Sequence, residues 1–172
     1  MTIELIIRLI ADGTVVVIAL LATTALLVGV PNKRKFEVYS RILMAGLTAY
    51  LAAKLIGAVY QPATERPFEL LGLQPDAAYI NNPGFPSDHV LFATVLSLAV
   101  WFETNYNKLA YLLFGLTVVM SIGRVLALVH TPLDVIGGMI IALIGSVWYI
   151  QPKHLKSYRN RRKNIRSQKV QH

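Results

Sequence analysis

Three ionisable residues stand in one stretch of an otherwise apolar run, Arg124-Val-Leu-Ala-Leu-Val-His130-Thr-Pro-Leu-Asp134. A charge near the centre of a membrane helix costs roughly 2.5–3.5 kcal/mol on insertion scales, so ionisable groups in such segments usually face an internal site. The three residue types suit phosphoryl transfer. An arginine binds phosphate oxygens, a histidine serves as nucleophile or base near neutral pH, and a carboxylate orients the imidazole. Further candidates lie upstream: Lys54, Arg66, and Ser87-Asp88-His89 at the start of another apolar run.

The elements that must position these groups are membrane helices. Of the 172 residues, 55% are hydrophobic, and the mean hydropathy is +0.52. That profile belongs to an integral membrane protein and not to a soluble domain. Five apolar spans, about 10–30, 41–60, 88–104, 108–128 and 132–151, each approach the ~20 residues needed to cross a bilayer. The expected fold is therefore an all-α bundle of about five transmembrane helices. A membrane-embedded domain covers 1–152, and a basic tail covers 153–172. Residues 1–9 read as an interfacial extension of the first helix. The rival reading, a cleaved signal peptide, lacks a basic amino-terminal region and a clean small-x-small site.

Charge distribution sets the expected orientation. The net charge is +8, but eight of the 17 Lys and Arg fall between Lys153 and Lys169. A basic tail beside a membrane span marks a cytoplasmic end next to anionic lipid and gives no reason to expect nucleic acid. Lys33, Arg34, Lys35, Arg41 and Lys108 share the tail's side, while seven of the nine acids lie on the other. The positive-inside rule then places the amino terminus outside and the carboxyl terminus in the cytoplasm. Every candidate chemical residue falls on the outer side. With no cysteine in the chain, disulfides and thiolate metal sites are excluded.

Each motif also has a plainer reading. Ser87 can cap its helix and Asp88 can complement the helix dipole, yet neither explains His89. Thr131, Pro132 and Asp134 have the form of a helix-opening capping box, which leaves His130 and Arg124 unaccounted for. Glu65 to Glu69 reads as a solvated loop, and Lys54 as a side chain snorkelling to the interface. The connection 61–87 carries Pro62, Pro67, Pro75, Pro83 and Pro86 with the turn residues Asn81-Asn82 and Gly84. Those residues argue against a helix through it, and a connection of this length between spans is often functional.

In order and spacing these motifs resemble the three-part signature of the type 2 phosphatidic acid phosphatase superfamily of membrane lipid phosphatases. The signature is a lysine followed by Arg-Pro, then Pro-Ser-x-His, then Ser-Arg with a histidine six residues on and an aspartate four further. Here the parts are Lys54 with Arg66-Pro67, then Pro86-Ser87-Asp88-His89, then Gly123-Arg124, His130 and Asp134. The match covers roughly residues 40–150. Three positions depart from the pattern. Lys54 lies farther from Arg66 than usual, Gly123 replaces serine, and Asp88 replaces the commoner glycine. The Pro-Ser-Asp-His variant is similar to bacterial undecaprenyl pyrophosphate phosphatases of this superfamily, an activity that tends to confer bacitracin resistance.

The resemblance implies catalysis through a phosphohistidine without metal or other cofactor. His130 would be the nucleophile, Asp134 its orienting carboxylate, and His89 the acid and then the base. Arg124, Arg66, Lys54 and Ser87, with Asp88 among them, would form the phosphate-binding group. The implied partners are the bilayer and a polyprenyl or glycerophospholipid phosphate, handled at the extracytoplasmic face of the plasma membrane. A phosphatidic acid or phosphatidylglycerophosphate phosphatase would use the same residues. A non-catalytic lipid-binding or transport protein is the reading of a different class. Oligomeric state is not legible in the chain.

Overall fold

Apolar runs broken by prolines and polar turns give five long helical segments joined mostly by tight connections. The structure, a computed structural model, describes residues 3–63, 65–79 and 84–150. The basic tail from Lys153 and the Asn81-Asn82-Pro83 turn lie outside the described residues. The first helix runs continuously over Ile3–Gly29 and contains one widened π turn at Leu9–Gly13. It stops at Val30, whose extended backbone (φ −93°, ψ 119°) is the conformation that Pro31 imposes on its predecessor. The second helix covers Asn32–Val59. It begins well before the expected residue 41, so Arg41 belongs to the helix and not to the preceding loop. Asp88–Glu103, Asn107–Leu126 and Pro132–Tyr149 complete the set.

These helices form an inside-out bundle. Large apolar side chains such as Leu20, Val28, Leu43, Leu55 and Ile140 project outward, as a lipid-facing surface requires. The interior is built from smaller residues. Ala45, Ala49 and Ala53 are buried on the second helix, and a Cβ at Gly145 would come within 2.4 Å of the Ala45 carbonyl oxygen. Small residues let membrane helices approach closely where van der Waals packing replaces the hydrophobic drive. Interior hydroxyls of Thr94, Ser97, Thr117 and Ser121 each donate to the carbonyl four residues back, so none is left unpaired in the apolar interior.

The 88–103 helix packs against all four others. Its 16 residues span only about 24 Å at 1.5 Å per residue, short of the ~30 Å hydrocarbon core. The residues that begin this helix consequently lie inside the bundle's end. As the prolines predict, no helix runs through the described part of the connection before it, which contains a single helical turn, Pro67–Leu70. Pro67 stands at the first helical position, where its missing N–H costs nothing, and the Glu69 side chain accepts from the Arg66 amide.

Candidate active site

Two helix beginnings and one helix end converge beneath the 61–87 connection. At the first beginning, Pro86 closes the connection and Ser87 precedes the central helix in extended geometry. The Ser87 amide donates to the carbonyl oxygen of Asp134 at 3.0 Å, tying the second motif to the third through backbone. Gly138 permits this approach, since a Cβ there would come within 2.8 Å of the Ser87 carbonyl oxygen. The expected Ser87 cap does not form. Its hydroxyl is buried without a hydrogen-bond partner among the described residues, so it keeps its capacity for a ligand.

At the second beginning the capping box is complete. The Thr131 amide donates to Asp134 Oδ2 at 2.7 Å, and the Asp134 amide donates to Thr131 Oγ1 at 3.3 Å. The same Oδ2 lies 3.6 Å from His130 Nδ1, so one carboxylate serves both the helix and the imidazole. At that distance the pair is an electrostatic contact that a small shift would convert into a hydrogen bond. Gly84 covers the pair; a Cβ there would sit 3.1 Å from Asp134 Oδ2 and 4.0 Å from His130 Nδ1. Burial pushes the His130 imidazole below its ordinary pKa. Arg124 and Arg66 act in the same direction, against the pull of Asp134.

Arg124 comes from the end of the fourth helix and is 1% exposed. Its Nη1 donates to Asp12 Oδ1 at 2.7 Å, while its Nε has no partner among the described residues. The chain then leaves the helix through Leu128 in the left-handed region (φ 57°), a conformation that costs a non-glycine residue about 1–2 kcal/mol. The connection holds this turn in place. The Phe68 amide donates to the Leu128 carbonyl at 3.1 Å, and Arg66 Nη1 donates to the Val129 carbonyl.

Arg66 is therefore no part of a solvated loop. It is 5% exposed, with its guanidinium over the Tyr79 ring at 5.4 Å and Phe68 buried beside it. Burial lowers the Arg66 pKa from its usual value, with Asp134 the largest opposing influence. It still carries its charge, because a guanidinium stays protonated in proteins.

Arg66, Gly84, Pro86, Asp88, His89, Arg124 and His130 line one tight cavity of about 10 Å³. Lys54 does not line it. Its Nζ reaches Asp88 Oδ1 and Oδ2 at 2.9 and 3.0 Å from a neighbouring pocket that includes Gln61, Phe85 and Pro86. Lys54 thus meets the cavity through Asp88. A larger groove of about 720 Å³ lies elsewhere, between Leu20, Ala25, Val28 and the Asn105–Lys108 turn. Its lining is apolar and gathers no acid–base pair, so it is no rival for the chemistry. Two further residues belong to this site, Asp12 and Gly84, the second legible in the sequence only as a turn residue. Asp12 carried a usable signal, an acid alone inside an apolar run, which is the signal that singled out Arg124.

Two histidines and two buried arginines line one cavity of the bundle, and the unpartnered Ser87 lies between two of its lining residues, Pro86 and Asp88. The chain belongs to the PAP2 superfamily, whose family model matches residues 37–156. It is 29% identical over 136 residues to the undecaprenyl-diphosphatase BcrC of Bacillus subtilis (strain 168), covering 78% of this chain and 67% of that protein. It is 30% identical over 139 residues to the putative undecaprenyl-diphosphatase YbjG of Escherichia coli (strain K12), covering 79% and 66%. The chain thus spans about two thirds of the length of these relatives. No solved structure matches it. The matched region contains all three motifs, and the family together with these relatives makes the protein a membrane lipid phosphatase.

Proposed function

We propose that this phosphatase hydrolyses undecaprenyl diphosphate to the monophosphate through a phosphohistidine on His130. One observation carries the reading: His130 and His89 share a cavity with Arg124 and Arg66, while Asp134 stands against His130 Nδ1. The names of the two relatives supply the lipid.

With Nδ1 facing Asp134, His130 attacks through Nε2. A P–N bond forms to the terminal phosphorus as the bond from that phosphorus to the bridging oxygen breaks. His89 gives its proton to that oxygen, and undecaprenyl phosphate leaves. His89 then takes a proton from water, the resulting hydroxide displaces phosphate from His130, and the starting state returns. This is paired acid–base and nucleophilic catalysis with the carboxylate in its triad role.

Arg124, Arg66 and the Ser87 hydroxyl meet charge on the transferring group, and Lys54 neutralises the Asp88 carboxylate that would otherwise repel it. Arg66 and Arg124 both line the cavity. Among the described residues no three His, Asp or Glu side chains form a metal-ligating group. The two arginines suit stabilisation of transition-state charge without a metal ion. The cavity lies at the end of the bundle opposite Lys33, Arg34 and Lys35, which favours the extracytoplasmic face of the plasma membrane.

Phosphate release by protein reconstituted with undecaprenyl diphosphate or phosphatidic acid, with chelator present, tests this reading. Faster release from the diphosphate, abolished in His130→Ala, is the expected result. A preference for phosphatidic acid would sink the substrate assignment, and loss of activity on chelation would sink the metal-free mechanism. Equal release by wild type and His130→Ala would leave a lipid-binding or transport role.

A further inference from the structure

Arg124 is buried at the site, yet its only carboxylate partner among the described residues comes from the first helix, far away in the chain. Asp12 lies in the first helix, within the single π turn Leu9–Gly13. Such widened turns are rare and frequently mark functional positions. Both of its oxygens are engaged: Oδ1 accepts from Arg124 Nη1 at 2.7 Å and Oδ2 from the Ala78 amide at 2.8 Å. One turn earlier, Arg8 Nε donates to the Asp76 carbonyl at 3.4 Å. The first helix therefore holds the connection over the site at two points.

This arrangement depends on a glycine beside Arg124. A Cβ at Gly123 would come within 2.7 Å of Ile10 Cγ2, 3.0 Å of the Ala11 nitrogen and 3.2 Å of the Ala11 Cα. The last two contacts are with backbone, which cannot swing aside. A side chain at position 123 would push the first helix away and take Asp12 with it. A guanidinium has five N–H donors in a rigid plane, and here one edge is fixed by Asp12 while Nε stays without a partner. A carboxylate locked through both oxygens fixes the direction in which that plane faces.

We infer that Asp12 is a positioning residue: from the π turn of the first helix it sets the orientation of Arg124 toward phosphate and fastens the 66–79 connection to the same point. The inference rests on the reading that Arg124 holds phosphate. Asp12 itself touches neither substrate nor the reacting atoms. Two carboxylate oxygens would repel a phosphate dianion, so its contribution passes through Arg124 and the Ala78 amide.

A double-mutant cycle read by inorganic vanadate affinity and by steady-state kinetics tests the inference. Asp12→Ala should weaken vanadate binding about tenfold, because residues acting on one group couple strongly. It should lower kcat more than it raises KM, since a misaligned cation is felt most in the transition state. Asp12→Asn keeps the side-chain size and an acceptor for Nη1, so it should fold and fall between the two. Gly123→Ser should reproduce the Asp12→Ala loss.

In an Arg124→Ala background either Asp12 substitution should change vanadate affinity less than about twofold, because the group it orients is gone. Equal losses in both backgrounds would show a merely structural role and overturn the inference. So would an Asp12→Ala protein that binds vanadate as wild type does. Wild-type protein that binds vanadate but hydrolyses neither lipid would remove the proposed reaction while the cycle still decides the part played by Asp12.

Discussion

Two arginines sit at opposite ends of the bundle, and their surroundings separate a structural charge from a chemical one. At the end away from the site, Arg41 Nη1 lies 2.6 Å from Glu103 Oε1 and its Nη2 lies 2.6 Å from Glu37 Oε1. Two carboxylates face one guanidinium, and the Glu103 side chain is 3% exposed. Around Arg124 the partners are arranged differently. One carboxylate faces a deeply buried guanidinium, Arg66 adds a second positive charge nearby, and Nε and the Ser87 hydroxyl lack partners. Burial marks both ends alike. Among the described residues, an unpartnered guanidinium nitrogen beside two histidines marks only the second, and a phosphate supplies what is missing there.

That contrast predicts where damage appears. Asp134→Asn should cause the largest loss among the partner substitutions, about 10³–10⁴ in kcat, because the amide can no longer hold the imidazole in the attacking tautomer. A loss below tenfold would break the link between the capping box and the chemistry. Arg124→Ala should follow at about 10²–10³, the scale of removing one preorganised charge donor from a transition state. Asp134→Asn should unfold in detergent close to wild type, whereas Arg124→Ala strands Asp12 and empties a buried site, so its turnover is read per folded molecule and its lower stability by thermal denaturation.

Arg41→Ala should do the opposite. Stranding the buried Glu103 carboxylate should cost about 3 kcal/mol of stability, while turnover per folded molecule stays within about twofold. A kinetic defect in folded Arg41→Ala protein would erase the distinction between the two ends.

The smallest predicted effect is in pH dependence. Burial and the two arginines lower the His130 pKa, so its neutral, attacking form persists below the ordinary histidine value of about 6.5. The acid limb of kcat/KM should therefore fall below 6.5. A limb above 6.5 would mean that Asp134 outweighs both arginines. The same sign applies to stability: a histidine buried neutral supports the fold above its unfolded pKa, and that support is lost as pH falls below it.

Much of this was legible because a membrane interior makes polar residues conspicuous. Arg124, His130 and Asp134 stood out against apolar neighbours, and the Thr131-Pro132-Asp134 box read correctly because a capping box is a local pattern. Long-range geometry was harder. The resemblance alone put Arg66 at the site, since nothing in Glu65–Glu69 reveals that the Leu128 carbonyl will take the Phe68 amide and the Val129 carbonyl the Arg66 guanidinium. Ser87 looked like a cap, since the close approach of Gly138 lies 51 residues away in the chain. Asp12 meets Arg124 across 112 residues, through a glycine whose meaning is the helix it admits and not the side chain it lacks.

The central claim is that His130 carries the phosphoryl group between two steps. Acid–base-controlled quenching of enzyme with undecaprenyl diphosphate labelled on its terminal phosphate tests it most directly. Label should appear on His130, stable in alkali and labile in acid as a phosphoramidate is, and it should be absent from His130→Ala. Full turnover by wild type with no label trapped at any quench time, or turnover retained in His130→Ala, would contradict the account.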